Sequence, residues 1–133
     1  MIKIKLKKLK KLIINNNLDG YIVPKNDAYF SEFSFPDRLK TISNFSGSAG
    51  FAIILKEKNY LFVDGRYTIQ AEKECGKYFK IIEIPKSWPK NVLKKYKRKL
   101  YLGYDPQLLT NVNLNRLFYG SCNLYPLKNN LID

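Results

Sequence analysis

The stretch 43–72, SNFSGSAGFAIILKEKNYLFVDGRYTIQAE, constrains the fold more than any other part of the chain. A glycine-rich turn, Ser46-Gly47-Ser48-Ala49-Gly50, feeds an apolar run over 51–55. A charged turn over 56–59 separates it from a second apolar run over 60–63. Two short apolar runs joined by a polar turn predict a β-hairpin whose strands are both largely buried. Asp64-Gly65-Arg66 ends the second strand, and 67–75 reads as a helix. Asp64 stands where a carboxylate accepts from the free amides of a first helical turn, so it is the expected N-cap.

Helices and strands alternate on both sides of this hairpin. Ile2, Leu6, Leu9 and Ile13 recur at helical spacing with lysines between them, which predicts an amphipathic first helix. Asn15-Asn16-Asn17 ends it, since Asn tolerates the left-handed conformation of a helix exit. A short buried strand is expected over 21–23, closed by Pro24, and a short helix over 38–44. Strands follow over 79–84, 100–104 and 123–127. Between them, Pro89 opens a helix running to about Arg98, and a helix over 111–119 stops at Gly120. Strands alternating with helices around one hairpin imply a layered α/β domain with a mixed sheet. The polar stretch 128–133 is expected to begin a linker.

Length makes 1–133 a single domain. No apolar run approaches the 18 or so residues of a membrane span. Lysines interrupt the apolar residues of the N-terminus, so no secretory signal is read there. Two cysteines, Cys75 and Cys122, suit a reducing cytoplasm better than a disulfide framework. The net charge of +13 raises nucleic-acid binding, yet only four of the 24 basic residues are Arg: Arg38, Arg66, Arg98 and Arg116. Bidentate recognition of phosphates and bases favours Arg. The lysine runs over 3–11 and 90–99 therefore read as solvated helix faces, with weak polyanion binding or attraction to an acidic partner domain as the alternatives.

Chemistry is harder to place. A phosphate loop runs strand, glycine loop, helix, whereas here a helix precedes the loop and a strand follows it. The glycines instead suit tight backbone packing. The chain has no histidine. Neutral-pH proton transfer, nucleophile activation and most zinc sites depend on that residue. Cys75 has no imidazole to activate it, and the eleven carboxylates form no spaced metal cluster. Catalysis by this chain alone is not expected, and no catalytic or metal-binding residue is assigned.

FSGSAG followed by a hairpin and VDGRYTIQAE resembles the N-terminal, creatinase-like domain of the Xaa-Pro aminopeptidases. Asp19-Gly20-Tyr21-Ile22-Val23-Pro24 resembles that family's first strand, 27–33 its D-x-H-x-S-E-Y segment, Gly103-Tyr104-Asp105-Pro106 its G-x-D-P turn and 128–133 its closing E-N-L-x-D. The resemblance implies the first domain of a multi-domain enzyme that removes the N-terminal residue from peptides with proline second. It implies a separate C-terminal catalytic domain, in which two Asp, one His and two Glu hold two divalent metals, typically manganese. Homo-oligomer contacts and a wall of the substrate cleft, open to short proline-containing peptides, are its expected contributions. Arg66, Arg38 and Tyr29 are the cleft candidates, with Arg66 able to hold a carboxylate. Each has a structural alternative: Arg66 pairs with Glu32 or caps a loop, and Arg38 is a surface helix residue. Tyr29 stands where the family has His, a departure that puts in question any hydrogen-bonding or proton role borrowed for that position. Asn44 replaces a glycine. Trp88 is expected to pack on the domain. Against this reading stand a stand-alone binding or dimerisation module without a peptidase, and a weak polyanion-binding domain.

Overall fold

The first helix buries Leu6, Leu9 and Ile13, the positions its spacing marks as apolar. In this computed structural model, which describes residues 1–25 and 37–133, the helix is α1 (Ile2–Asn15). It ends in a Schellman motif. The Leu18 amide donates to Ile13 O and the Asn17 amide to Ile14 O, both at 3.0 Å, while Asn17 takes the left-handed φ of 58°. Leu18 is thereby buried at the start of β1 (Gly20–Pro24).

The remaining elements follow in order: α2 (Arg38–Ser43), β2 (Phe51–Leu55), β3 (Asn59–Asp64), a 3-10 turn (Gly65–Tyr67), α3 (Thr68–Cys75), β4 (Lys80–Ile84), α4 (Pro89–Leu93), β5 (Tyr101–Tyr104), α5 (Asn111–Phe118) and β6 (Asn123–Pro126). Local chemistry explains several of their ends. The Asp37 carboxylate accepts from the Lys40 amide at 3.1 Å and opens α2. Asn44, at φ 69°, closes it in the left-handed region that a glycine would otherwise fill. Thr110 caps α5 by accepting from the Asn113 amide at 3.1 Å.

The six strands form one mixed sheet in the order β4-β3-β2-β1-β5-β6. The hairpin β2–β3 and the pair β1–β2 are antiparallel. The pairs β3–β4, β1–β5 and β5–β6 are parallel. Side chains alternate across it. Tyr21, Val23, Ala52, Ile54, Leu61 and Val63 face α1, α2 and α3. Ile22, Ile53, Leu55, Tyr60, Phe62 and Leu102 face α4 and α5, where the Trp88 ring also packs. The expected α/β architecture with a mixed sheet and central hairpin is the one observed.

Two local expectations are corrected. The fourth helix stops at Leu93, not near Arg98. Beyond it Lys95 and Tyr96 donate three residues back, to Val92 O and Leu93 O, and five like charges over 94–99 oppose further α-helix. Asp64 caps the 3-10 turn, accepting from the Arg66 amide at 2.9 Å. The helix α3 begins only after that turn and receives no side-chain cap.

Candidate functional site

The glycine-rich turn and the Asp64-Gly65-Arg66-Tyr67 segment meet at one end of the hairpin. Gly47 is required by contact, because a Cβ there would lie 2.2 Å from the ring of buried Phe45. Gly50 is required by conformation, with φ at 153° and the Phe62 carbonyl 3.1 Å from where a Cβ would sit. These two glycines let the turn pack closely against α3. There the Ser46 amide and hydroxyl donate to the two oxygens of Glu74 at 2.9 and 2.6 Å. Gln70 adds a donor to the Ser46 hydroxyl at 2.8 Å. Burial works against ionisation of Glu74, but the Ser46 and Gln70 hydrogen bonds outweigh it and hold its carboxyl below the usual range.

Next to this cluster the hydroxyls of Ser48 and Tyr67 are 2.5 Å apart. The Tyr67 ring stands edge-on to Phe45, with centroids 6.1 Å apart. Arg66 lies over the Tyr67 ring, its guanidinium carbon 5.2 Å from the centroid. Its Nε and Nη2 donate to the two oxygens of Asp64 at 3.2 and 2.9 Å. That side-chain pairing and the backbone hydrogen bond of Arg66 depress the Asp64 pKa. The Arg66 side chain remains 75% exposed, so the guanidinium is presented to solvent on a fixed base.

Arg38 stands differently. Its side chain is only 15% exposed, and Nε and Nη2 donate to the two oxygens of Asp133 at 2.9 Å each. This pairing raises the Arg38 pKa further. Nearby, the buried Asp105 accepts from the Gln107 amide at 2.9 Å and from Asn130 Nδ2 at 3.0 Å. The buried Tyr21 hydroxyl accepts from the Leu131 amide at 3.4 Å, and burial pushes its pKa up to about 12. The stretch 128–133 is thus held on the body through Asn130, Leu131 and Asp133, with Leu131 and Ile132 packed against the core. Tyr29 and Glu32 lie outside the described residues.

The two candidate arginines therefore hold different carboxylates on different elements. Sequence reasoning missed the Ser46–Gln70–Glu74 and Ser48–Tyr67 contacts that fix the base of Arg66. The only sequence signal for them was the i,i+4 spacing of Gln70 and Glu74 beside a serine-bearing turn. Among the described residues no group of three or more His, Cys, Asp or Glu side chains could hold a metal ion. The described residues do not fit a metal centre. Among the described residues no helix is long and apolar enough to cross a membrane.

Known proteins share both the sequence and the fold. The family description of the Creatinase/Prolidase N-terminal domain matches residues 5–131, and the chain belongs to that family. A probable Xaa-Pro aminopeptidase P from Coprinopsis cinerea is 33% identical over 136 residues, which cover 94% of this chain and 22% of that protein. A counterpart from Paracoccidioides brasiliensis is 36% identical over 112 residues, 80% of this chain and 18% of that protein. The chain thus spans about a fifth of the length of these relatives. The X-prolyl aminopeptidase of Caenorhabditis elegans, described as a cytosolic enzyme with a di-nuclear active site, superposes with a TM-score of 0.85 at 25% identity. That match covers 100% of this chain and 25% of the worm enzyme. The N-terminal domain of the cytoplasmic peptidase PepQ from Mycobacterium tuberculosis has the same fold, with a TM-score of 0.69 at 21% identity over 92% of each chain.

Proposed function

We propose that residues 1–133 are the single, non-catalytic N-terminal domain of a cytoplasmic Xaa-Pro aminopeptidase. In that enzyme a separate catalytic domain carries two divalent metals, manganese by family resemblance, and hydrolyses the bond before a proline in second position. The observation that carries this reading is the coverage: 94% of this chain aligns with 22% of a probable Xaa-Pro aminopeptidase P. A chain without histidine is consistent with a division of labour in which the metal ligands lie elsewhere. The domain's part is to wall the cleft that admits short proline-containing peptides and to contribute contacts within a homo-oligomer. Arg66, exposed yet anchored by Asp64 and stacked on Tyr67, is the residue assigned to a peptide carboxylate. Arg38, committed to Asp133, is assigned to structure.

The test has two arms. Residues 1–133 alone, with manganese present, are expected to leave an Xaa-Pro peptide intact; chelator-sensitive turnover would overturn the accessory role. In the full-length enzyme, Arg66→Ala is expected to weaken use of short peptides while metal content and folding stay unchanged. A rise in KM alone marks ground-state binding, and an equal fall in kcat and kcat/KM marks a contact made only in the transition state. Unchanged kinetics would remove Arg66 from the cleft.

A further inference from the structure

The helix α1 carries six lysines, Lys3, Lys5, Lys7, Lys8, Lys10 and Lys11, and no acid. Lys3 and Lys5 in its first turn oppose the helix dipole, and no basic residue in its last turn complements it. Lys3–Lys7 and Lys7–Lys11 repel at i,i+4, and Lys5–Lys8, Lys7–Lys10 and Lys8–Lys11 at i,i+3. Among the described residues no carboxylate pairs with any of the six. This arrangement weakens the helix, so α1 itself does not account for it.

Between α1, α2 and the last residues of the chain lies a groove of about 300 Å³. Leu12, Ile42, Leu131 and Ile132 supply its apolar floor, and Lys5 and Lys8 stand on its α1 side. Among the described residues the one carboxylate in the lining, Asp133, is already paired with Arg38. We infer that the α1–α2 groove is a docking surface for an acidic protein segment that sets an aliphatic side chain into the floor between carboxylates facing Lys5 and Lys8. Charge complementarity selects the sign of the occupant, since such a segment relieves the lysine repulsion. The apolar floor selects a protein over a phosphate polymer, whose hydrated backbone leaves the exposed Leu12 wet. Phosphate readers also favour the guanidinium fork, and α1 has no Arg.

The experiment is amide chemical-shift mapping of the ¹⁵N-labelled chain. The probe is a synthetic peptide with leucines spaced among glutamates; polyglutamate, a uridine RNA homopolymer and phosphatidylserine vesicles are compared. Shifts confined to α1, to Thr41 and Ile42 and to Leu131 and Ile132 are expected with the leucine-containing peptide, with weaker binding of polyglutamate. The pair Lys5→Glu and Lys8→Glu should cost about tenfold in affinity. Leu12→Gln, a half-exposed position that leaves the core intact, should weaken the peptide but not polyglutamate. Equal binding of polyglutamate, a preference for RNA or vesicles, shifts elsewhere or no shifts at all would each overturn the inference.

Discussion

Arg38 and Asp133, 95 positions apart in sequence, meet through two parallel hydrogen bonds of 2.9 Å. Together with Asn130 on Asp105 and the Leu131 amide on Tyr21, this pair fastens the end of the chain across the ends of β1 and β5. Truncation after Leu127 is expected to lower unfolding stability by about 2–3 kcal/mol, mainly because it removes the apolar surface that Leu131 and Ile132 bury against the core. Arg38→Ala alone should cost less than about 1 kcal/mol, because Asp133 is more than half exposed and solvent screens the pair. Urea titration checks both values, and a truncated chain with an unchanged midpoint would show that the tail adds nothing to the body.

Acid should destabilise the domain through its depressed carboxyls. Hydrogen bonding from Arg98 lowers the Asp19 pKa against the opposing effect of burial, with the Tyr101 amide assisting. Glu74 is lowered by Ser46 and Gln70. A carboxyl whose folded pKa lies below its unfolded value stabilises the fold above that unfolded value, near 4. The contribution is lost as pH falls through the folded value. Melting temperatures are therefore expected to hold level above about pH 5 and to fall below about pH 4. Asp19→Asn should reduce the slope of that fall; a slope unaltered by this change would remove Asp19 from the account.

Two glycines should respond differently to alanine. At Gly47 the new methyl meets the Phe45 ring, which has no exposed side to move toward, and overpacking of this kind costs about 1–3 kcal/mol. At Gly120 nothing lies within 4 Å, and only the φ of 67° resists a side chain. There Ala should cost about 1 kcal/mol and Asn less, since Asn tolerates that region. Thermal melts give the order directly, and equal losses for Gly47→Ala and Gly120→Ala would mean that Phe45 yields.

Neither thiol should react readily. Burial pushes both Cys75 and Cys122 up to about 11, which leaves about 0.1% thiolate at pH 8. Mass spectrometry after iodoacetamide treatment should find the folded chain almost unlabelled under conditions that label the unfolded chain fully. Fast modification of Cys75, which is 2% exposed, would contradict its place in the core.

The hairpin was legible because its two apolar runs are short, bounded and joined by a charged turn, so only one local pairing is available. The first helix was legible because Leu6, Leu9 and Ile13 repeat with its period. The sheet order was not, since the jump from β4 across to β5 is decided by packing that sums over the whole domain. Helix α4 was overextended because periodicity does not register the repulsion among the lysines after Leu93. Of the candidate site, Arg66 was singled out through its motif. The Ser48 and Tyr67 contacts beneath it, which join residues 19 positions apart, have no periodic signature. The partner of Arg38 was hidden for the same reason at five times that separation.

The central strands have apolar side chains on both faces, and this changes what fixes their alignment. Where one face of a strand is polar, sliding by one residue would turn its apolar side chains to water, so patterning alone sets the pairing. In β1, Tyr21, Ile22 and Val23 are all buried, and a slip would exchange one apolar face for another. Alignment must come from shape. A Cβ on Gly20 would lie 2.5 Å from a Leu55 methyl, 2.7 Å from the Ile54 carbonyl and 2.9 Å from a Leu102 methyl. One on Gly103 would lie 2.6 Å from Leu18 and 3.1 Å from Tyr21. Shifted by one place, β1 would drive Asp19 or Tyr21 into the space left for Gly20. The two glycines act as alignment pins for β1, β2 and β5, a role filled by the absence of atoms.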